Sequence, residues 1–326
     1  MYCKFDLPYS VAPFDKPGIS MIVTVTLNPA LDRSFSVERV VPENKLSCGP
    51  PSFDAGGGGL NVARVIHELG GEAMAFWTCG GIVGQLLRET LDQVGVRHQP
   101  VCIEEMTREN VIVFEESSGQ QYRFGMPGAA MSEQELEACL SEIKQLDPSP
   151  QFLVLSGSLP PGLEDHTYAR IARAAPDGCR VIVDTREQPL KCSLEASLFL
   201  IKPNLRELGI LAGREVTEDA EIEEACERLI DQGNVEVIVV SIGSGGVMLF
   251  TRDHHEKIRA PTVKIRSKVG AGDSTVGGIV TGLSQGLTIN DAVRFGVAAG
   301  SAAVMTEGTQ LCRREDVERL FRDMMK

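Results

Sequence analysis

The sequence has no surplus of basic charge: 32 lysines and arginines face 45 aspartates and glutamates, for a net charge of −13. A nucleic-acid-binding surface wants a basic patch, so that class is set aside, and any phosphorylated ligand has to be held by a few local cations. No apolar run approaches the roughly 20 residues of a membrane span, and the N-terminus lacks the basic start and long apolar region of a signal peptide. The expectation is a cytoplasmic protein without a membrane partner. Cys3, Cys48, Cys79, Cys102, Cys139, Cys179, Cys192, Cys226 and Cys312 are odd in number, scattered and never spaced C-x-x-C, which reads as reduced thiols. Also missing are internal repeats, low-complexity tracts and any linker strong enough to divide the 326 residues. An apolar content of 43% leaves ample material for a core.

What the chain does have is glycine placed before helices. Val269-Gly270-Ala271-Gly272-Asp273-Ser274 runs straight into an apolar stretch from Val276. Small residues let a backbone approach a ligand, and a helix starting there aims unpaired N–H groups at one point suited to an anion. A carboxylate beside such a point repels phosphate unless it is there to take a proton, so Asp273 suggests phosphoryl transfer to a hydroxyl. Taken alone, the plainer reading, a glycine-rich helix start with an ordinary first-turn aspartate, outweighs it. A second junction lies at Gly56-Gly57-Gly58-Gly59-Leu60-Asn61, followed by Val62, Val65, Ile66 and Leu69 at i, i+3, i+4 and i+7, an amphipathic helix. Four successive glycines cost backbone entropy and imply that the main chain comes close to something.

Residues 1–20 show no clear period and read as an irregular extension. Ile22 to Leu27 then reads as a β-branched strand cut off by Asn28-Pro29, with Asp32 the first carboxylate beyond it, placed at a strand end where ligands collect, a solvated turn aspartate being the equal alternative. That strand end is no dinucleotide fingerprint, and an oxidoreductase is a distant reading. Ser34 to Phe53 suggests short, interrupted strands containing Lys45, and Val111–Phe114 with Gln121–Phe124 flanks Ser117-Ser118-Gly119 as a hairpin preceded by Arg108. Such a hairpin is a lid, a dimer contact or a plain edge decoration. Beyond Pro148, Phe152–Leu155, Val181–Val183, Leu198–Ile201 and Val235–Val240 are continuous apolar runs at helix-length intervals, the mark of a buried parallel sheet. Their ends carry Ser156-Gly157-Ser158, Asp184, Lys202-Pro203-Asn204 with Glu207, and Ser241 to Gly246, and four polar ends on one sheet edge suit a substrate crevice. The alanine- and glycine-rich run from Ala292 to Met305 fits tight packing against a neighbouring helix or a flat ligand ring.

With both glycine junctions and the strand ends in this order, the chain from Met21 onward resembles the ribokinase-like (PfkB) carbohydrate kinases. Tyr122 to Ala130 and Arg294 to Ala303 are similar to the minor bacterial 6-phosphofructokinase branch of that family. The resemblance implies a ribokinase-like three-layer α/β sandwich: a central, mostly parallel sheet, and a small β-sheet lid built from segments at about 34–53 and 108–124. It implies MgATP as donor, fructose 6-phosphate as acceptor and a homodimer joined through the lid. The uninterrupted run Gly56 to Gly59 favours that sugar over fructose 1-phosphate or tagatose 6-phosphate, whose kinases typically place a lysine there. A sensor that kept the pocket and lost turnover is the reading from another class, and an intact Asp273, Asn204 and Glu207 speaks against it.

The roles implied by the resemblance follow residue by residue. Asp273 is the base, and Gly270, Ala271 and Gly272 form the anion hole. Asp32, Gly57, Gly58 and Asn61 face sugar hydroxyls, with Lys45, Arg108 and Ser158 near the sugar phosphate. Asn204 and Glu207 organise Mg²⁺ through water; Lys202, Ser241, Gly243 and Gly246 approach the nucleotide phosphates, and Ser301 lies by the adenine. A monovalent cation, K⁺, would sit on backbone carbonyls of Ser267, Val269, Ala303 and Gly308. Lys268 and Thr306 depart from the pattern there, where relatives commonly have Thr and Asn respectively.

Overall fold

The first β-branched run forms strand β1 (Ile22–Thr26), buried at all five positions. It runs parallel to β4 (Ala73–Cys79) on one side and β8 (Phe152–Ser156) on the other. A strand covered on both faces has no solvated side, which is why its residues are continuously apolar or β-branched instead of alternating with charges. The computed structural model describes residues 21–326, and the extension expected over 1–20 lies outside them.

β1 belongs to a nine-stranded sheet in the order β13 (His255–Ile258), β12 (Val247–Phe250), β11 (Val235–Ser241), β10 (Leu198–Ile201), β9 (Arg180–Asp184), β8, β1, β4 and β5 (His98–Cys102). Pairing is parallel from β11 to β5 and antiparallel at the β12 and β13 edge. All four apolar runs read after Pro148 are strands of this sheet. Side chains alternate across it: Val23, Val25, Leu153 and Val183 point to one core, Ile22, Val154 and Ile182 to the other.

The first core is covered by α3 (Glu133–Lys144), α4 (Thr167–Ala174), α5 (Glu187–Ser193), α6 (Leu205–Ala212) and α7 (Asp219–Asp231). The second is covered by α1 (Gly58–Glu68), α2 (Gly81–Val94), α8 (Ala271–Ser284) and α9 (Ile289–Ala303), and α10 (Arg314–Met324) packs on α9. The result is three layers, helices on both faces of a mostly parallel sheet. The small residues of α9 serve helix packing: a Cβ on Gly296 would come within 2.5 Å of Ile279 on α8, and one on Gly278 within 2.8 Å of Ala299. Among the described residues no helix is long and apolar enough to cross a membrane, and the eight described cysteines are free thiols.

A second, four-stranded sheet has the order β3 (Ser52–Gly56), β2 (Ala30–Val37), β6 (Arg108–Glu115), β7 (Gln120–Gly125). Here the sequence reading needs correction. β2 is one continuous strand starting directly after Pro29, so Asp32 stands within a strand and not in a turn. Leu31 fills the core while Asp32 pairs in register with Asp54 and Asn110 on its neighbours. Proline ends β1, and the chain re-enters extended structure at once because a second sheet is there to accept its hydrogen bonds.

Candidate active site

Helix α8 begins at the late glycine turn. Gly270 caps it with φ of 71°, a left-handed conformation that glycine adopts without strain, and an added Cβ would sit 2.5 Å from Leu311. The first-turn N–H groups of α8 therefore open onto the cleft without helical partners. Asp273 lies in this turn, and its Oδ2 accepts a hydrogen bond of 2.8 Å from Nδ2 of Asn61 on α1. Burial is the main force on its carboxyl, with the nearby charge of Asp184 adding to it; Asn61, Lys202 and Arg123 pull the other way, and the pKa is pushed up to about 6. A carboxylate poised there is ionised at neutral pH and still basic enough to accept a proton.

Lys202 reaches the same point from the end of β10. Its Nζ is 3.2 Å from Asp184 Oδ1 and lies beside Gly272, where a Cβ would be in ordinary contact with it at 3.5 Å. Burial disfavours the lysine's charge, but Asp184, together with Asp273 and Glu207, outweighs it and holds the pKa above the ordinary value. Lys202 thus favours its charged form beside the start of α8.

Two adjoining clefts meet at this turn. The larger, about 690 Å³, is lined by Lys202, Ser241, Gly243, Gly246 and Ser301; the smaller, about 560 Å³, by Asp184, Arg186, Glu207 and Asp273. Asn204, Lys268 and Gly272 line both. Asn204 caps α6 in a reciprocal pair, its side chain accepting from Glu207 N at 2.9 Å while its own N–H donates to Glu207 Oε2 at 2.9 Å. Glu207 thus has its second carboxylate oxygen left for the cleft. Burial raises its pKa, with Asp184 contributing, against the opposing Asn204 bond. Asp184, Glu207 and the Asn204 amide oxygen line one cleft together, and two carboxylates with an amide oxygen are a fitting donor set for a hydrated divalent cation.

The second sheet supplies the other wall. Asp32 is buried, accepts 2.7 Å from Asn110 Nδ2, and has its pKa raised by desolvation despite that bond and the nearby Arg123 and Arg108. Its carboxyl packs against Gly56, where a Cβ would lie 2.7 Å away, so this glycine makes room for the aspartate. Gly57 caps α1 with φ of 117°. Gly58 and Gly59 answer to protein: a Cβ on either would strike the end of β8 or β1 at 2.4 to 2.5 Å. Ser158 accepts from Asn28 Nδ2 at 3.1 Å. Arg108 is half-buried where the sheets join, and its guanidinium donates to the carbonyls of Asn28 (3.0 Å), Pro29 (3.4 Å) and Met126 (3.1 Å). Lys45 is exposed in the loop between β2 and β3.

Around the loop after α9, hydroxyls already engage two of the carbonyls considered for a monovalent cation. Ser267 Oγ donates to Gly308 O at 2.9 Å, and Thr306 Oγ1 donates to Ala303 O at 2.7 Å. Val269 N–H in turn donates to Ser267 Oγ at 3.2 Å. A cation there would have to share both carbonyls. Lys268 is exposed and lines the two clefts, so its charge bears on the cleft junction.

Three residues of this constellation escaped the sequence reading as site residues. Asp184 was visible as a polar strand end, but its pairing with Lys202 joins two strands. Arg123 lies within the hairpin, and only the sheet register turns it toward Asp32 and Asp273. Arg64 follows Asn61 by one helical turn and contacts its side chain; the i, i+3 spacing was the available signal.

Residues 25–316 match the model of the pfkB family of carbohydrate kinases. The ATP-dependent 6-phosphofructokinase isozyme 2 of Mycobacterium tuberculosis is 42% identical over 309 residues, covering 93% of this chain and 90% of the relative. The crystal structure of phosphofructokinase-2 from Escherichia coli in complex with potassium superposes with a TM-score of 0.91 at 38% identity, over 94% of this chain and 100% of that one. The same E. coli enzyme in complex with fructose-6-phosphate gives 0.88 at 37% identity, with the same coverage.

Proposed function

The chain belongs to the pfkB family of carbohydrate kinases, and on that footing we propose that it is an ATP-dependent 6-phosphofructokinase, transferring the γ-phosphoryl group of ATP to the C1 hydroxyl of fructose 6-phosphate. The observation that carries this reading is Asp273, placed at the N-terminus of α8 on the wall of one cleft, beside Gly272 where the second cleft joins it. In this reading the larger cleft holds the nucleotide, with Ser241, Gly243 and Gly246 by its phosphates and Ser301 by the base. Fructose 6-phosphate lies between Asp32, Gly57, Gly58 and Asn61, its phosphate toward Ser158, Arg108 and Lys45.

The C1 oxygen attacks the γ-phosphorus as its proton passes to Asp273; the new O–P bond forms, the bond to the bridging oxygen breaks, and ADP leaves. Gly270, Ala271 and Gly272 present backbone N–H groups to the charge on the transferring group, and Lys202 adds a fixed cation. Little else is asked of the protein, because this transfer depends on alignment and charge stabilisation. Asn204 and Glu207 would hold the divalent ion, Mg²⁺ in this proposal, through water, and it would neutralise nucleotide charge. K⁺ on the carbonyls of Ser267, Val269, Ala303 and Gly308 is a weaker element, since hydroxyls compete for two of them.

Residues 21–326 act as one kinase domain in which the second sheet is the lid that excludes water from the donor. The register puts Phe53, Arg33, Val111 and Phe124 in one cross-strand row on the face opposite Asp32. Phe53 and Phe124 remain 37% and 51% exposed, with the Arg33 guanidinium 5.2 Å from the Phe53 ring. An apolar sheet face of this kind suits pairing with the same face of a second copy, a homodimer through the lid. The test is a coupled assay with MgATP and fructose 6-phosphate, fructose 1-phosphate, tagatose 6-phosphate and unphosphorylated fructose. A clear preference for fructose 6-phosphate is the expected result; preference for another sugar refutes the substrate, and ADP release with none of them refutes the kinase.

A further inference from the structure

Arg64 stands behind the proposed base. Its Nη1 donates to the Ala55 carbonyl at 2.6 Å and to Asn61 Oδ1 at 3.3 Å, and its Nη2 lies 3.4 Å from Asp54 Oδ1. The other oxygen of Asp54 accepts 2.7 Å from Thr309 Oγ1, in the loop that follows α9. Asn61 therefore has its carbonyl oxygen held by a guanidinium, which leaves its amide nitrogen directed at Asp273 Oδ2, 2.8 Å away. The chain of contacts Thr309, Asp54, Arg64, Asn61, Asp273 links the α9 loop, the edge of the second sheet, α1 and α8. Arg64 is nearly buried, with 12% of its side chain accessible, and the carboxylates of Asp54, Asp32 and Asp273 all act on its charge.

We propose that Arg64 is a positioning residue for phosphoryl transfer: it fixes the side-chain amide of Asn61 so that Asn61 donates to Asp273, with Asp54 and Thr309 fixing Arg64 in turn. The fork geometry explains why arginine is used. One guanidinium spans a backbone carbonyl, an amide oxygen and a carboxylate at once, whereas a lysine ammonium is a single point on a flexible stem. Without Arg64, the Asn61 amide is oriented only by Asp273 itself, and an oxygen turned toward the carboxylate repels the ionised form. The groups facing Asp273 from other elements, Asp184, Lys202 and Arg123, stay in place in that event.

This inference rests on Asp273 acting as the base, and the experiment separates the two. The Asp273 carboxyl is titrated by carbon NMR in protein labelled at aspartate, assigned with Asp273→Asn, and compared between the wild type and Arg64→Gln. The titration should move up by about one unit in Arg64→Gln, the size of one lost bond to a charged group. In parallel, kcat at saturating substrates should fall roughly 10- to 100-fold with its acid limb displaced in the same direction, while KM for ATP stays within about 2-fold. In an Asn61→Ala background, Arg64→Gln should change kcat by less than about 2-fold, because the path runs through Asn61. Arg64→Lys and Thr309→Val, which disturb the fork without removing all charge, give the same direction with a smaller shift and replace Arg64→Gln if that variant does not fold. An unmoved carboxyl titration, or an equal kcat loss in both backgrounds, overturns the role given to Arg64. A wild type without sugar phosphorylation overturns the kinase reading and leaves the titration comparison to decide this one.

Discussion

Asn61 and Asp273 are 212 positions apart in the chain and 2.8 Å apart in space. One closes the first turns of a helix entered through four glycines; the other opens a helix entered through Gly270, Ala271 and Gly272. Each junction on its own is a helix start. Their contact turns two local features into one site, with the proposed sugar wall on one side and the proposed nucleotide cleft on the other.

Activity should decline on the acid side as Asp273 takes up its proton. With the carboxyl pushed up to about 6, the base is available above that pH and lost below it. A profile of kcat/KM for fructose 6-phosphate should bend with an apparent pKa near that value in the free enzyme. A flat profile between pH 5 and 8 would detach the titration of Asp273 from the reaction.

Asp273→Asn should lower kcat by about 10²- to 10⁴-fold, the usual range for a general base, with ATP binding largely kept. It should also stabilise the fold at neutral pH. The folded-state pKa is raised, so the wild type gains from protonation at low pH and loses that gain as pH rises from the unfolded value through about 6. The asparagine protein is spared the loss, which amounts to roughly 3 kcal/mol at most by the linkage between pKa and free energy. Melting temperatures of the two proteins should coincide near pH 3.5 and separate by a few degrees above pH 6.5.

The parts of the fold that could be read from sequence were those where one physical cause dominated. The runs ending at Ser156, Asp184, Ile201 and Ser241 are buried on both faces, and that shows as continuous apolar residues. Ala73–Cys79 is buried as deeply, yet it is built of Ala, Met, Phe and Trp with little β-branching, and the edge strand His255–Ile258 is polar because it faces solvent; neither was read. At the site, glycine turns and strand-end side chains were legible as types. Partnerships were not: Lys202 with Asp184, Arg64 with Asp54, and Thr309 with Asp54 arise from the docking of separate elements. Asp32 was legible as a candidate site residue but not as part of a strand, because the sheet that makes its segment a strand is completed by residues far along the chain.

Lys268 should matter through the nucleotide. It is an exposed cation at the junction of the two clefts, whereas Lys202 is tied to Asp184. Lys268→Thr should raise KM for MgATP several-fold and lower kcat, with KM for fructose 6-phosphate less affected. If K⁺ acts at the neighbouring loop, removing this charge should also increase the activation seen when potassium replaces a large organic cation in the buffer. Unchanged ATP kinetics would place Lys268 outside the reaction.

Phe124→Asp should break the proposed lid pairing. It puts a charge in the row formed by Phe53, Arg33, Val111 and Phe124, and burying it in a second copy's lid would be costly. Sedimentation should show monomer in place of dimer, with KM for fructose 6-phosphate raised because an unpaired lid covers the sugar less well. A variant that sediments as the wild type would remove this face from the interface.

The most direct measurement is phosphorus NMR of the protein incubated with Mg²⁺, ATP and fructose 6-phosphate. The account predicts ADP and a new phosphate monoester on C1 of the sugar in equal amounts, abolished by Asp273→Asn. ATP left intact, or ADP accompanied by inorganic phosphate with the sugar unchanged, would contradict it.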